Sequence, residues 1–127
     1  GKRLPTEAEW EKAARGPEQN DGIPPQTAHF AAPMQAGAVS VDTLEPNGYG
    51  LRHMHGNVWE WTADWFDTLY YAKSPRTNPT GPGNGYRKIV RGGSWYNPSY
   101  YAHAGMRFRL EPSVHLFSLG LRCARTP

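Results

Sequence analysis

Two oxygen-bearing side chains, Asn57 and Glu60, stand close together in the run Gly56-Asn57-Val58-Trp59-Glu60-Trp61. Joined by backbone carbonyls, they are ligands suited to Ca2+, a hard cation that takes six to eight oxygens. The competing assignment is structural, with Asn57 capping a turn and Glu60 paired with a buried arginine such as Arg91 or Arg122. The residues alone leave the two readings level. Cys123 is the single cysteine, so it forms no internal disulfide and builds no thiolate metal site. In a closing strand it is expected to be a small buried hydrophobe. His29, His53, His55, His103 and His115 show no His-x-x-x-His or two-His-one-carboxylate spacing. Ser94 follows Gly92-Gly93 outside any Gly-x-Ser-x-Gly elbow, and reads as a turn hydroxyl bonded to backbone.

A second group of residues suits binding rather than catalysis. Tyr96, Asn97, Ser99, Tyr100, Tyr101 and His103 are followed by Phe108, and then by Val114, His115, Leu116, Phe117 and Ser118. Tyrosine supplies rigid amphipathic area at low entropic cost, and Ser, Asn and His supply adaptable hydrogen bonds. Glu111-Pro112-Ser113 announces a turn, which brings the apolar residues behind it towards the surface. These twelve residues form the candidate ligand-binding set, expected to be mostly exposed on one face. The alternative is that they pack beneath the closing strand.

The elements that position them are short. Thr6 with Glu9 forms a capping box, Trp10, Ala13 and Ala14 make one apolar stripe, and Gly16 supplies the stop, so a helix is expected over 6–15. Residues 17–33 are polar and proline-rich loop. Ala38–Val41 is expected as a short strand, and Glu45-Pro46-Asn47-Gly48 as a turn whose Asn-Gly pair takes positive φ. Residues 78–85 are surface loop. Strands are expected over 87–95 with a bend at Gly92-Gly93, over 104–109, and over 119–124. One helix with scattered short strands implies an α+β fold.

With 127 residues the chain makes one domain around a modest core. It has 14 Gly and 12 Pro, and its five Trp are the natural material for holding so loop-rich a chain together. The net charge of +3 comes from dispersed residues, and the densest basic cluster is only Arg87, Lys88 and Arg91. Without a basic stripe, nucleic-acid binding is not expected. No apolar run approaches the roughly 18 residues of a membrane span.

Four segments in fixed order carry a resemblance. They are Gly1-Lys2-Arg3-Leu4-Pro5-Thr6-Glu7-Ala8-Glu9-Trp10-Glu11; Asn47-Gly48-Tyr49-Gly50-Leu51 leading into Met54-His55-Gly56-Asn57-Val58-Trp59-Glu60-Trp61; Val90-Arg91-Gly92-Gly93-Ser94-Trp95; and Leu119-Gly120-Leu121-Arg122. Together they resemble the formylglycine-generating-enzyme, or sulfatase-modifying-factor, family. The resemblance implies a C-type-lectin-like fold of the formylglycine-generating-enzyme subtype, loop-rich, with short antiparallel strands and one clear N-terminal helix. Residues 1–127 would then be a single compact domain covering the C-terminal half of the usual one. The family uses the Asn57–Glu60 loop for calcium, which makes both residues candidate ligands of a structural Ca2+. A second family calcium site, between the helix and the Asn47 turn, is expected to be absent.

Formylglycine generation resembles a copper-dependent oxidation on two cysteines just after Gly-Gly-Ser, because soft thiolates suit Cu(I). The matching stretch, residues 95–103, has no cysteine, so no copper is expected and the oxidase reading fails. The related ergothioneine-type sulfoxide synthase takes its iron ligands from a helical domain that this sequence lacks. A third reading makes the chain an accessory half docked on a missing N-terminal domain, with a bare apolar face as its sign. The variable proteins of diversity-generating retroelements resemble this domain, with their diversified residues between Gly-Gly-Ser-Trp and the closing strand. Adenine-directed mutagenesis of Asn-type codons reaches every residue over 112–119, and from 96 to 111 all but Met106 and Glu111. The expectation is a non-catalytic domain that binds an unidentified protein or surface ligand.

Overall fold

The structure is a computed structural model that describes residues 1–22, 24–25 and 28–126. Its elements run β1 (Lys2–Arg3), α1 (Glu7–Arg15), β2 (Trp59–Trp65), α2 (Tyr70–Lys73), β3 (Lys88–Arg91), α3 (Ser99–Ala102), β4 (Phe108–Leu110), β5 (Leu119–Gly120) and β6 (Ala124–Arg125), with one 3-10 turn at Met34–Ala36. The expected α+β class holds.

Helix α1 begins where its sequence says it should. The Thr6 hydroxyl accepts from the Glu9 N–H at 3.2 Å, and the Glu9 carboxylate accepts from the Thr6 N–H at 2.8 Å. Gly16, at φ 73°, ends the helix. Trp10 and Ala14 are buried with Met54 and Ala104.

The main sheet has the order β4-β3-β2-β5, and β1 with β6 forms a separate two-stranded sheet. Strands β2/β3 and β3/β4 are antiparallel, with Glu60 opposite Arg91 and Val90 opposite Phe108. Strand β5 lies parallel to β2, with Trp59 opposite Leu119, beside the expected short antiparallel strands. Along β2 the polarity is inverted. Glu60, Thr62 and Asp64 are buried while Trp61, Ala63 and Trp65 are half-exposed. Two of these buried residues bond directly to backbone: Thr62 donates to the Ile89 carbonyl at 3.1 Å, and Asp64 accepts through Oδ2 from the Glu7 N–H at 2.7 Å. Under these residues the Glu7 carboxylate receives Arg91, Arg107 at 2.7 Å and the Tyr71 hydroxyl at 3.1 Å.

Five expected elements differ, the first being the strand over 87–95, which covers only Lys88–Arg91. Residues 38–41 form no strand; instead the Asn57 side-chain amide accepts from the Val39 N–H at 2.9 Å and donates to the Val39 carbonyl at 3.2 Å, replacing a ladder partner. At the Asn47 turn the positive φ falls on Gly50, and the Asn47 carboxamide oxygen accepts from the N–H groups of Tyr49 and Leu51. The strand expected over 104–109 starts only at Phe108, because Ala104 donates to Gly22 at 2.7 Å and Met106 closes a turn onto His103. The closing strand over 119–124 divides into β5 and β6, and Cys123 between them is exposed rather than buried. The loop over 78–85 is as expected, without regular structure. Of the tryptophans, Trp10, Trp59 and Trp95 are buried core, whereas Trp61 and Trp65 are half-exposed.

Candidate functional site

Strand β3 ends at Arg91, and Gly92 (φ 95°) and Gly93 (φ 71°) turn the chain sharply. A Cβ on Gly93 would lie 2.8 Å from the Tyr101 carbonyl, so only glycine lets α3 rest against the bend. Behind it, the Asn97 carboxamide oxygen accepts from the Ser94 N–H at 3.0 Å, the Ser94 hydroxyl at 2.6 Å and the Trp59 indole N–H at 3.0 Å. Ser94 is therefore the expected turn hydroxyl, but bonded to a side chain rather than to backbone. One atom pins the bend, the loop and the indole of β2 together.

Two groups of rings stand on this base. Tyr100 packs edge-on against Tyr101 at 5.4 Å, Tyr101 against Trp59 at 6.2 Å, and Trp59 against Phe108 at 5.4 Å. Trp95, Tyr96 and Phe117 form a triangle with centroids 5.4 to 6.1 Å apart. Trp59 and Trp95 are buried, while Tyr100 is 69% and Phe117 68% exposed. Such rings, held from beneath and open above, are pre-organised contact area.

Six of the twelve candidate residues are exposed: Ser99, Tyr100, Phe108, His115, Leu116 and Phe117. Tyr96, Tyr101 and Val114 are half-buried at the rim. Three have other roles. Ser118 is fully buried; its hydroxyl lies 3.2 Å from the Tyr96 hydroxyl, and its carbonyl accepts from the Trp59 N–H at 2.8 Å. Asn97 is spent on the three bonds above. His103 turns away beside Gly22 and accepts from the Gly105 N–H at 3.0 Å. Sequence reasoning missed Met34, which is 56% exposed and whose carbonyl accepts from the Trp95 indole at 3.1 Å. No local pattern marks a residue in a proline-rich loop as a neighbour of Trp95.

In the Asn57–Glu60 loop both side chains have protein partners. The Arg122 guanidinium donates to both Glu60 oxygens, at 2.6 and 2.7 Å, and the Trp10 indole N–H donates at 2.7 Å. The Asn57 oxygen is taken by Val39. A fixed cation on the only carboxylate, with the amide committed elsewhere, matches the ion-pair reading. Among the described residues, no group of three or more His, Cys, Asp or Glu side chains is placed to hold a metal. No helix among them is long and apolar enough to cross a membrane.

Comparison with known proteins gives a consistent result. The model of the family described as the sulfatase-modifying factor enzyme 1-like domain matches residues 1–127. A formylglycine-generating enzyme from Mus musculus is 38% identical over 98% of this chain and 39% of that protein. A mouse protein named inactive C-alpha-formylglycine-generating enzyme 2 is 32% identical, over 98% of this chain and 43% of its own length. Among solved structures, Treponema denticola variable protein 1 superposes with a TM-score of 0.86 at 35% identity, covering 97% of this chain and 47% of that one. The chain thus spans less than half the length of each of these proteins.

Proposed function

This chain belongs to the sulfatase-modifying factor enzyme 1-like family, and from that premise we propose that it is a non-catalytic member whose aromatic surface behind the Gly92-Gly93 bend binds a ligand. The observation that carries the reading is the replacement of chemistry by contact area in one stretch. Residues 95–103 hold no thiol, and the lone Cys123 sits outside it, exposed between β5 and β6. In place of thiolates that would bind a soft metal, the stretch presents Tyr96, Tyr100 and Tyr101, supported by buried Trp59 and Trp95. The likeness to a variable protein and to a protein named inactive supports a binding role within this family. On this reading the ligand is an unidentified protein or surface molecule, and residues between 96 and 119 are the diversified ones.

Two measurements test it. A reverse transcriptase beside the gene, with an adenine-rich near-copy of the segment encoding 96–119, is expected; a locus without either removes the diversification. The likeness to formylglycine-generating enzymes keeps a catalytic reading in view. Purified chain incubated with Cu(I), oxygen and a Cys-containing sulfatase peptide is expected to produce no aldehyde, and mass-spectrometric detection of formylglycine overturns the proposal.

A further inference from the structure

Strand β4 is an edge of the four-stranded sheet and pairs only with β3. Among the described residues, no loop or side chain hydrogen-bonds the backbone groups that it turns outward. An open edge of this kind is a template for another strand. Beside it runs a groove of about 330 Å³ lined by Arg87, Phe108, Arg109, Leu110, Glu111 and Val114. The pleat divides these residues. Phe108 and Leu110 lie on one face of β4, and Arg109 lies on the other.

Arg109 is the informative member. Its guanidinium lies 4.5 Å from the Phe66 ring centroid, and it makes no hydrogen bond or ion pair among the described residues. Stacking fixes the cation and leaves its N–H fork unused, the arrangement that suits a carboxylate. Its neighbour Arg107 stacks on the same ring but is consumed by Glu7. Arg87, at the groove's other end, reaches Glu111 only at 3.9 Å. Phe108 also packs on Trp59, so the groove is continuous with the aromatic surface.

We propose that the partner of this surface adds an extended segment to the outer edge of β4, with apolar side chains at alternate positions over Phe108, Leu110 and Val114 and an Asp or Glu between them on Arg109. Main-chain bonds to the strand edge give affinity, and alternating pockets give selectivity. The inference rests on the binding reading above and names the class of ligand, an acidic extended peptide. The charge complement is local: two guanidinium groups face one carboxylate along the groove.

The test uses a phage-displayed random heptapeptide library selected on the whole chain, followed by titration of the enriched peptides as synthetic compounds. Enriched sequences are expected to alternate apolar residues with one Asp or Glu. Arg109→Glu should weaken them about tenfold or more, as charge reversal at a defined pair does, and their binding should slow amide exchange over residues 108–110. Arg109 is exposed, so an unchanged thermal midpoint will show that the variant folds. Peptides that lose binding with Phe117→Ala but ignore Arg109→Glu overturn the strand-edge proposal and leave the aromatic binding surface standing. A library that yields no binder sensitive to either substitution overturns both.

Discussion

Arg122 holds Glu60 through two parallel hydrogen bonds, Nε to Oε2 at 2.6 Å and Nη2 to Oε1 at 2.7 Å, across 62 residues of sequence. The pair ties the segment leaving β5 to the buried side of β2, and Trp10 of α1 donates to the same carboxylate at 2.7 Å. Removing one partner strands a charge next to the core, so Arg122→Met is expected to destabilise the fold by about 3 kcal/mol. Chemical denaturation measures it. Chelation or added Ca2+ should leave the wild-type midpoint unmoved, and a calcium-dependent midpoint would contradict the ion-pair assignment.

Asn97 tests the base of the binding surface. Asn97→Ala removes an acceptor from three donors, two on Ser94 and one on Trp59, and is expected to cost about 2–3 kcal/mol. Asn97→Asp keeps an oxygen there and should lose much less. A red shift of tryptophan emission in the alanine variant alone would report loosening of Trp59.

Gly93 has no room for a side chain. Its φ of 71° and the Tyr101 carbonyl 2.8 Å from an added Cβ act together, so Gly93→Ala should destabilise by more than the roughly 1 kcal/mol expected of the backbone term alone. An unperturbed melting curve would show that α3 does not rest on the bend.

The pH response should have two opposed parts. The Arg3 guanidinium bonded to Glu9 holds its carboxyl down to about 2, below the ordinary 4.5. That stabilisation is present above the unfolded value and is lost as pH falls from about 4.5 through about 2. Burial pushes the Asp64 carboxyl up from its ordinary 3.8, and its Oδ1 is buried without a hydrogen-bond partner. Its contribution is fully present below 3.8 and is lost as pH rises through the raised folded value. Asp64→Asn is therefore expected to raise the midpoint at pH 7 and not at pH 3. Loss of stability at pH 7 would show that the charge itself is needed.

The sequence declared what short-range physics decides. The capping box at Thr6 and Glu9, the bend at Gly92-Gly93 and the loop over 78–85 are local signals, and all were legible. The polarity of β2 was not, because Glu60, Thr62 and Asp64 look solvent-facing until Arg122, Ile89 and Glu7 arrive from distant parts of the chain. Val39 failed for the same reason: its strand partner is the side chain of Asn57, which no periodicity encodes. At the candidate surface, residue type alone could not separate Tyr100, which is exposed, from Ser118, which is sealed in. That division depends on which side of Trp59 and Trp95 the backbone passes.

Strands β1 and β6 place Lys2 opposite Arg125 and Arg3 opposite Ala124, so residues 2–3 and 124–125 lie side by side. A short Gly/Ser bridge from residue 126 to residue 1 spans that gap, and Gly83, with open space around its α-carbon, offers a place to cut. A permutant starting at Asn84 would begin just before β3 and carry β3, β4 and the aromatic surface in its leading part. The same neighbouring ends allow the unit to be spliced into an exposed loop of a carrier protein, which would then present the surface on a two-stranded stalk.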